Sequence, residues 1–164
     1  MGAKALNERA ATRVARRAVY PILAAEASQH ATRADIGRLR ESLSRLQPLT
    51  TDPSLAVLEA RHFNELVASA SDHLVLSYLV SALQRMSEHS QVDYTANHWR
   101  AYFKQSTAMV QAIEAGDGET AQHISTVTHQ AGIHYWEKHF PKLLNEPIAW
   151  VADNQPPQSN RNDS

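Results

Sequence analysis

Apolar residues recur along this chain at the three- and four-residue spacing of an α-helix, which constrains its fold more than any other feature. After Thr32, for example, the apolar positions are Ile36, Leu39, Leu43 and Leu46, the pattern of a single helix face. No segment alternates with the two-residue period of a half-buried strand, and the chain contains only five glycines. Amphipathic helices bury their apolar faces against one another, so the sequence predicts an all-α antiparallel bundle of about six helices.

Residues that begin and end helices place the first three of them. The first predicted helix spans about residues 7–29 and contains Pro21, where a kink is expected. Thr32 and Asp35 have the spacing of a capping box at the start of the second, with Asp in place of the usual Glu or Gln. Asp52, which precedes a proline, is typical of the residue that caps a helix N-terminus and predicts the start of the third.

The last three helices are bounded in the same way. The fourth follows Asp72, the fifth begins near Thr95 and ends before Gly116, and the sixth is capped by Asp117 and continues to Pro141. The residues predicted to point inward from the last four helices are Leu55, Leu58, Leu66, Ala70, Leu76, Leu79, Leu83, Met86, Trp99, Phe103, Val110, Ile113, Ile124, Val127 and Ala131.

Composition predicts one soluble, cytoplasmic domain. The 164 residues include no cysteine, which excludes disulfides, thiolate metal sites and cysteine nucleophiles. The first residues lack the apolar segment of a signal peptide, and no apolar run approaches the ~18 residues of a membrane span. We expect residues 1–12 to form an N-terminal extension and the start of the first helix, residues 13–151 the helical domain, and the polar residues 152–164 a disordered tail.

Charge is unevenly distributed although the net charge is only −1. Residues 1–46 contain nine Lys or Arg against four Asp or Glu, and the remainder contains seven against thirteen. Two interpretations are open: a surface that faces nucleic acid, or solvated helix faces. The second is favoured because no aromatic residues alternate with the arginines.

Three segments, in order, resemble the FCD domain, the C-terminal effector-binding domain of GntR-type transcription regulators. They read RRAVYPILAAEASQHATRADIGRLRESL, FNELVASASDHLVL and MVQAIEAGDGETA, and the resemblance extends over about residues 13–128. It implies a bacterial sensor domain that forms homodimers and binds a small-molecule effector. Too few residues precede Arg13 for the usual winged helix-turn-helix domain, so we expect contact with DNA only through a domain that this chain lacks.

The resemblance also implies where a metal site would lie in this family. It uses an Asp and a His four residues apart, which share one helix face, and two further His on later helices. The matching positions here are Ala60, Asn64, Ser106 and Thr128, which are poor ligands for a transition metal. We therefore predict no metal and no other cofactor. A site restored by His62 or His129 stays open as an alternative.

The lost metal positions and the arginines predict where an effector binds. The resemblance places Arg16 at the pocket, and a guanidinium donates two parallel hydrogen bonds to a carboxylate. The predicted ligand-binding residues are Arg16, Asn64, Arg100, Ser106, Thr128 and His129. We expect a small organic acid or an acyl-type metabolite, bound without metal in a cavity of the bundle.

Two other functions compete with the sensor. One is a vestigial helical interaction module that binds no ligand. The other is a metal-dependent helical enzyme, which the sequence disfavours because it has no nucleophile elbow, no phosphate-binding glycine loop and no His-Glu-x-x-His motif. The prediction is a protein that is not an enzyme.

Overall fold

The computed structural model describes residues 8–85 and 94–142, and these ranges form six α-helices and no strand. The helices are α1 (Glu8–His30), α2 (Arg33–Leu49), α3 (Pro53–Ala70), α4 (Leu74–Arg85), α5 (Ala96–Glu114) and α6 (Gly118–His139). The all-α class and the helix number agree with the prediction. Within the same ranges, no helix combines the length and apolarity needed to cross a membrane. Residues 1–7, Met86 and the predicted tail lie outside the described residues.

Local hydrogen bonds form the helix starts that the sequence predicts. The Thr32 amide donates to the Asp35 carboxylate at 2.8 Å, and the Asp35 amide donates to the Thr32 hydroxyl at 3.2 Å, which completes the capping box. Asp52 and Asp117 accept amide hydrogen bonds at the starts of α3 and α6. Between α5 and α6, Gly116 adopts a φ of 72°, a left-handed conformation that glycine adopts without steric cost.

Helices α1 and α6 pack antiparallel along most of their lengths. The start of α6 contacts the end of α1, where a Cβ on Gly118 would lie 2.9 Å from Ser28 Oγ. The end of α6 contacts the start of α1, where the Arg13 guanidinium lies 3.3 Å from the ring centroid of Trp136. Because these contacts connect opposite ends, the helix axes run in opposite directions. The absence of a side chain at Gly118 permits the close approach.

The largest apolar cluster lies between α1, α2, α3, α5 and α6. Its fully buried members include Leu39 of α2 and Phe63 of α3, which are both 0% exposed. A second cluster joins α1, α3 and α4, and a third joins α2, α3 and α5 around Trp99. Burial of these side chains is the dominant favourable contribution to folding. It fixes the relative positions of the polar residues between the helices.

Several side chains predicted to face the core are exposed, so the predicted faces of α3, α4 and α6 were partly wrong. The exposed residues are Leu55, Leu58, Leu79, Val127 and Ala131. The buried stripe of α3 begins one residue later, at Ala56, and that of α6 includes Ala121 and Ser125. Each residue turns a helix by about 100°, so Ala56, Ala121 and Ser125 face the neighbouring helices where Leu55, Leu58 and Val127 were expected.

Three of the four arginines of α2 take part in ion pairs among the described residues. The pairs are Arg38 with Asp35, Arg40 with Glu114, and Arg45 with both Glu41 and Glu59. These contacts neutralise part of the local positive charge. They support the interpretation of this surface as solvated helix faces rather than a nucleic-acid interface.

Candidate functional site

The buried hydroxyl of Tyr102 on α5 lies at the centre of a polar cluster inside the bundle. It is 3.5 Å from the carbonyl oxygen of Ala60 and 3.5 Å from Oδ1 of Asn64, both on α3. Hydrogen bonds between oxygen atoms are normally 2.5 to 3.0 Å long, so both contacts are weak. Burial raises the pKa of Tyr102, and the phenol is therefore protonated at neutral pH. It remains available as a hydrogen-bond donor.

Four buried polar atoms lack a hydrogen bond within the described parts of the chain. They are Oγ of Ser106, Nε of Arg16, Nε1 of Trp99 and Oε1 of Gln84. Ser106 is 1% exposed and affects the pKa of Tyr102, while the Trp99 ring packs edge-on against the Tyr102 ring. An unsatisfied buried polar group costs about 1 to 3 kcal/mol. The atoms of Ser106, Arg16 and Trp99 can donate a hydrogen bond and are suited to an acceptor such as an anion, whereas Oε1 of Gln84 only accepts one.

Tyr20 of α1 and His129 of α6 form the wall of the cluster. Their rings stack with 4.4 Å between the centroids and 17° between the planes. The Tyr20 hydroxyl also accepts a 3.0 Å hydrogen bond from Nε2 of Gln84 on α4. The cluster therefore involves side chains from α1, α3, α4, α5 and α6.

His129 is neutral at physiological pH. Burial lowers its pKa to about 4, and the positive charge of Arg16 acts in the same direction. Its Nδ1 lies 2.8 Å from the carbonyl oxygen of Ser125. A carbonyl only accepts hydrogen bonds, so Nδ1 carries the hydrogen and Nε2 has a free lone pair. The ring thus contributes a neutral acceptor beside the donors.

Arg16 supplies the positive charge of the cluster. Its guanidinium lies 5.4 Å from the centroid of the Tyr20 ring, within range of a cation–π contact. Its charge also favours lower pKa values at Tyr102 and His129. Among the described residues, no ion pair joins Arg16 to a carboxylate. A partly buried guanidinium without a carboxylate partner is suited to an anionic ligand.

An aromatic layer lies at the adjacent end of the bundle. Trp136 of α6 packs beneath Arg13, and its indole N–H donates to the hydroxyl of Tyr94. The Tyr94 ring stacks on His98 with 4.2 Å between the centroids, and Tyr135 packs against both rings. Burial lowers the pKa of His98 to about 4, so this ring is also neutral.

The residues at the family's metal positions do not fit a transition metal. Ala60 offers only a backbone carbonyl, and the protonated Tyr102 hydroxyl contacts both that carbonyl and Asn64. A buried neutral phenol and an amide are weak donors for such an ion. His62 is exposed, and nowhere in residues 8–85 and 94–142 do three or more His, Asp or Glu side chains form a group able to hold a metal.

Four of the six predicted ligand-binding residues meet in this cluster: Arg16, Asn64, Ser106 and His129. The other two do not join it. The hydroxyl of Thr128 donates to the carbonyl of Ile124 at 2.8 Å, within α6. Arg100 is exposed and donates to Asn97 on α5. The prediction that Thr128 and Arg100 contact a ligand stays a prediction.

Three members of the cluster are not among the predicted ligand-binding residues: Tyr20, Tyr102 and Gln84. Tyr102 precedes Ser106 by four residues and therefore lies on the same helix face, a spacing visible in the sequence. Tyr20 precedes the matched segment's alanines and replaces a residue that the resemblance expects to be Glu. Gln84 carries no such sequence pattern, because its contact with Tyr20 joins residues that are far apart in the chain.

Comparisons with known proteins agree with this architecture. The solved structure of E. coli McbR/YncC is similar in fold, with a TM-score of 0.67 and 19% sequence identity, over 85% of this chain and 71% of that one. A search of curated proteins finds no significant match. The family model of the FCD domain matches residues 12–129, which is well over half of the chain. The chain therefore belongs to the FCD domain family and has the all-α fold of an effector-binding regulatory domain.

Proposed function

We propose that this chain is the effector-sensing and dimerisation domain of a GntR-type transcription regulator, and that it binds a small organic anion directly, without a metal. The binding site is the cluster around Tyr102, with Arg16 as the anchor for the anionic group. DNA is contacted only through a winged-helix domain of the regulator. The chain itself catalyses no reaction.

The partly buried Arg16 guanidinium is the observation that carries this proposal. The Tyr20 ring lies near this guanidinium, whereas no carboxylate of the described residues pairs with it. Its Nε has no hydrogen-bond partner among them. A ligand carboxylate supplies both the missing hydrogen bond and the missing negative charge. Charge-assisted hydrogen bonds of this kind contribute about 1.5 to 3 kcal/mol each.

The other members of the cluster favour an anion with several oxygen atoms. Ser106 and Tyr102 offer hydroxyl donors that are unsatisfied or weakly bonded, and Asn64 offers an amide. The lone pair on Nε2 of His129 accepts a hydrogen bond from a ligand hydroxyl. A hydroxy acid, a sugar acid or the carboxylate of an acyl-type metabolite meets these requirements.

Binding at this position would transmit a signal because the contacting side chains come from different helices. An anion that joins Arg16 of α1 to Ser106 of α5 favours the arrangement in which both helices face it. A ligand that binds one arrangement more tightly shifts the population towards it. The DNA-binding domains of the regulator would report that shift.

Native mass spectrometry of protein purified from cells without chelators or metal-affinity columns tests this proposal. We expect a species that is heavier than the protein alone by a few hundred daltons. Denaturation should release this extra mass as an organic acid that can be identified. Bound zinc, nickel or manganese, confirmed by elemental analysis, would contradict direct binding. A protein that is empty after purification and binds no mono-, di- or tricarboxylate, sugar acid or acyl-CoA would contradict sensing altogether.

A vestigial module without a ligand is the second candidate, and one observation favours it. The Tyr102 hydroxyl contacts the two α3 positions that correspond to the family's metal ligands. If this side chain has replaced the effector, the cluster needs no occupant. A crystal structure of the ligand-free protein in which ordered waters hydrogen-bond to Ser106 and Arg16 would favour this alternative.

A further inference from the structure

Helix α4 exposes an uncharged apolar face. From Leu74 to Gln84 it contains no charged residue, and only Arg85 at its end carries charge. Leu76, Val80 and Leu83 face the interior, whereas the opposite side carries four exposed large apolar side chains, three of which are the most exposed of the described chain. They are Leu74 (67% exposed), Val75 (70%), Tyr78 (68%) and Leu79 (40%). An apolar stripe of this kind marks an interaction surface.

We infer that this face, defined by Leu74, Val75, Tyr78 and Leu79, pairs with the same face of a second copy of the chain in an antiparallel, two-fold arrangement. The inference extends the dimerisation part of the proposed function and identifies its surface. It does not depend on the effector site. A two-fold interface brings the same patch of both subunits together, so the face must be complementary to itself.

The charges at the two ends of the face determine the orientation of the partner. Asp72 lies just before α4, and Arg85 is its last residue; both are exposed. Neither forms an ion pair with any other described residue. Helix α4, from Leu74 to Arg85, separates them by about 17 Å at 1.5 Å per residue. Antiparallel pairing brings opposite charges together, whereas parallel pairing brings like charges together.

One register satisfies the apolar and the charged residues at once. If the two-fold axis passes between Tyr78 and Leu79, Tyr78 of each copy packs against Leu79 of the other. The same register places Val75 opposite Ala82, and it brings the turn that contains Asp72, just before α4, to the end of the partner helix that carries Arg85. Val75, Tyr78, Ala82 and Arg85 follow the three- and four-residue spacing of one helix face, so all of them can reach the partner.

The neighbouring helix α1 enlarges the apolar surface available to the pair. A standard interface buries about 800 Å² per partner, of which somewhat more than half is non-polar. Helix α1 contacts α4 through Leu23 and Val80, and it exposes Val14 (57%) and Ile22 (43%). With the four residues of the α4 face, six large apolar side chains supply an area of that order.

Two reciprocal charge reversals test this register in the full chain. We expect the wild-type protein to sediment as a dimer, and Asp72→Lys and Arg85→Glu each to weaken dimerisation by about tenfold or more, because each variant places like charges together twice. A mixture of the two variants restores both attractive pairs. It should form a heterodimer, which native mass spectrometry identifies by its intermediate mass. A folding defect in either variant would not produce this recovery.

Apolar substitutions provide the matched comparison. Tyr78→Glu should yield a folded monomer by circular dichroism and sedimentation. Leu58→Glu, at a comparably exposed leucine of α3 (58%) outside the face, should remain dimeric. A monomeric wild-type chain at about 100 µM, a mixture of Asp72→Lys and Arg85→Glu that forms no heterodimer, or dissociation by Leu58→Glu as strong as that by Tyr78→Glu would overturn the inference.

The two proposals fail independently in this design. Asp72→Lys leaves the cluster around Tyr102 unchanged, so a thermal-shift titration of this variant with citrate, gluconate and benzoate measures sensing without the pair. Loss of heterodimer formation with unchanged ligand shifts would refute only the α4 pairing. Absent ligand shifts with an intact heterodimer would refute only the sensing function.

Discussion

The imidazole of His129 lies flat against the phenol ring of Tyr20, with 4.4 Å between the ring centroids. The contact joins α1 to α6 and lies beside the Arg16 guanidinium, which also faces the Tyr20 ring. A cation at this position and burial by the two helices both disfavour a charged imidazole. The stack therefore makes the stability of the bundle dependent on the protonation of one histidine.

The first prediction concerns the pH dependence of folding through His129. In the folded protein its pKa is about 4, below the ordinary value of 6.5, so the unfolded chain binds the proton first as the pH falls. The contribution of this residue is full above pH 6.5 and declines between pH 6.5 and 4. Between about pH 7.5 and pH 5 we expect a loss of about 2 kcal/mol in the free energy of unfolding from this group.

Urea unfolding at both pH values measures this loss. His129→Gln should reduce the pH dependence by about the predicted amount, because its amide does not titrate. The exposed His62 is the control, and His62→Gln should retain the wild-type slope. If His129→Gln leaves the pH dependence of the free energy of unfolding unchanged, the pKa of His129 in the folded protein is not lowered from its ordinary value.

The second prediction concerns the anchor of the ligand. Arg16→Gln removes the guanidinium that has no carboxylate partner among the described residues, and it should weaken binding of the recovered acid by roughly 10- to 100-fold. Arg17→Gln removes the same charge from the next, exposed residue and should change affinity little. Isothermal titration calorimetry at two salt concentrations compares the variants. Equal losses in both would indicate a general effect of charge and exclude a specific anchor.

The third prediction separates the ligand role of Tyr102 from a structural one. Its hydroxyl lies 3.5 Å from both the Ala60 carbonyl oxygen and Asn64 Oδ1, so Tyr102→Phe should alter the free energy of unfolding by less than about 1 kcal/mol. The same substitution should weaken ligand binding, because it removes a donor from the centre of the cluster. A stability loss above about 2 kcal/mol with unchanged affinity would assign the hydroxyl to the fold instead.

The fourth prediction uses two glycines of α6 that differ in their surroundings. A Cβ at Gly118 would lie 2.9 Å from Ser28 Oγ and 3.4 Å from the carbonyl oxygen of Ala25. Overpacking there should outweigh the helix propensity of alanine, so Gly118→Ala should destabilise the protein by about 1 to 3 kcal/mol.

Gly132 has no such neighbour within 4 Å. Gly132→Ala should therefore stabilise the protein by about 0.5 to 1 kcal/mol, as expected for alanine in an open helix position. Thermal and urea unfolding of both variants give the comparison. Adding Ser28→Ala should restore part of the stability that Gly118→Ala loses. If it does not, the clash is with the α1 backbone at Ala25.

Helix number, helix starts and the family could be read from the sequence because they depend on residues close together in the chain. The Thr32–Asp35 capping box and the left-handed Gly116 are examples, since each involves only local backbone and side-chain geometry. Three of the four positions inferred from the family resemblance carry polar side chains, and two of them, Asn64 and Ser106, lie in the cluster.

The buried faces and the partners of the polar residues depended on tertiary packing. Leu58 and Val127 have the apolarity expected of core residues, yet smaller neighbours face the adjacent helices because these helices approach closely. The stack of Tyr20 on His129 and the contact of Tyr102 with Asn64 join residues that are distant in sequence. No local pattern specifies such pairs, since the rotation and crossing of whole helices bring them together.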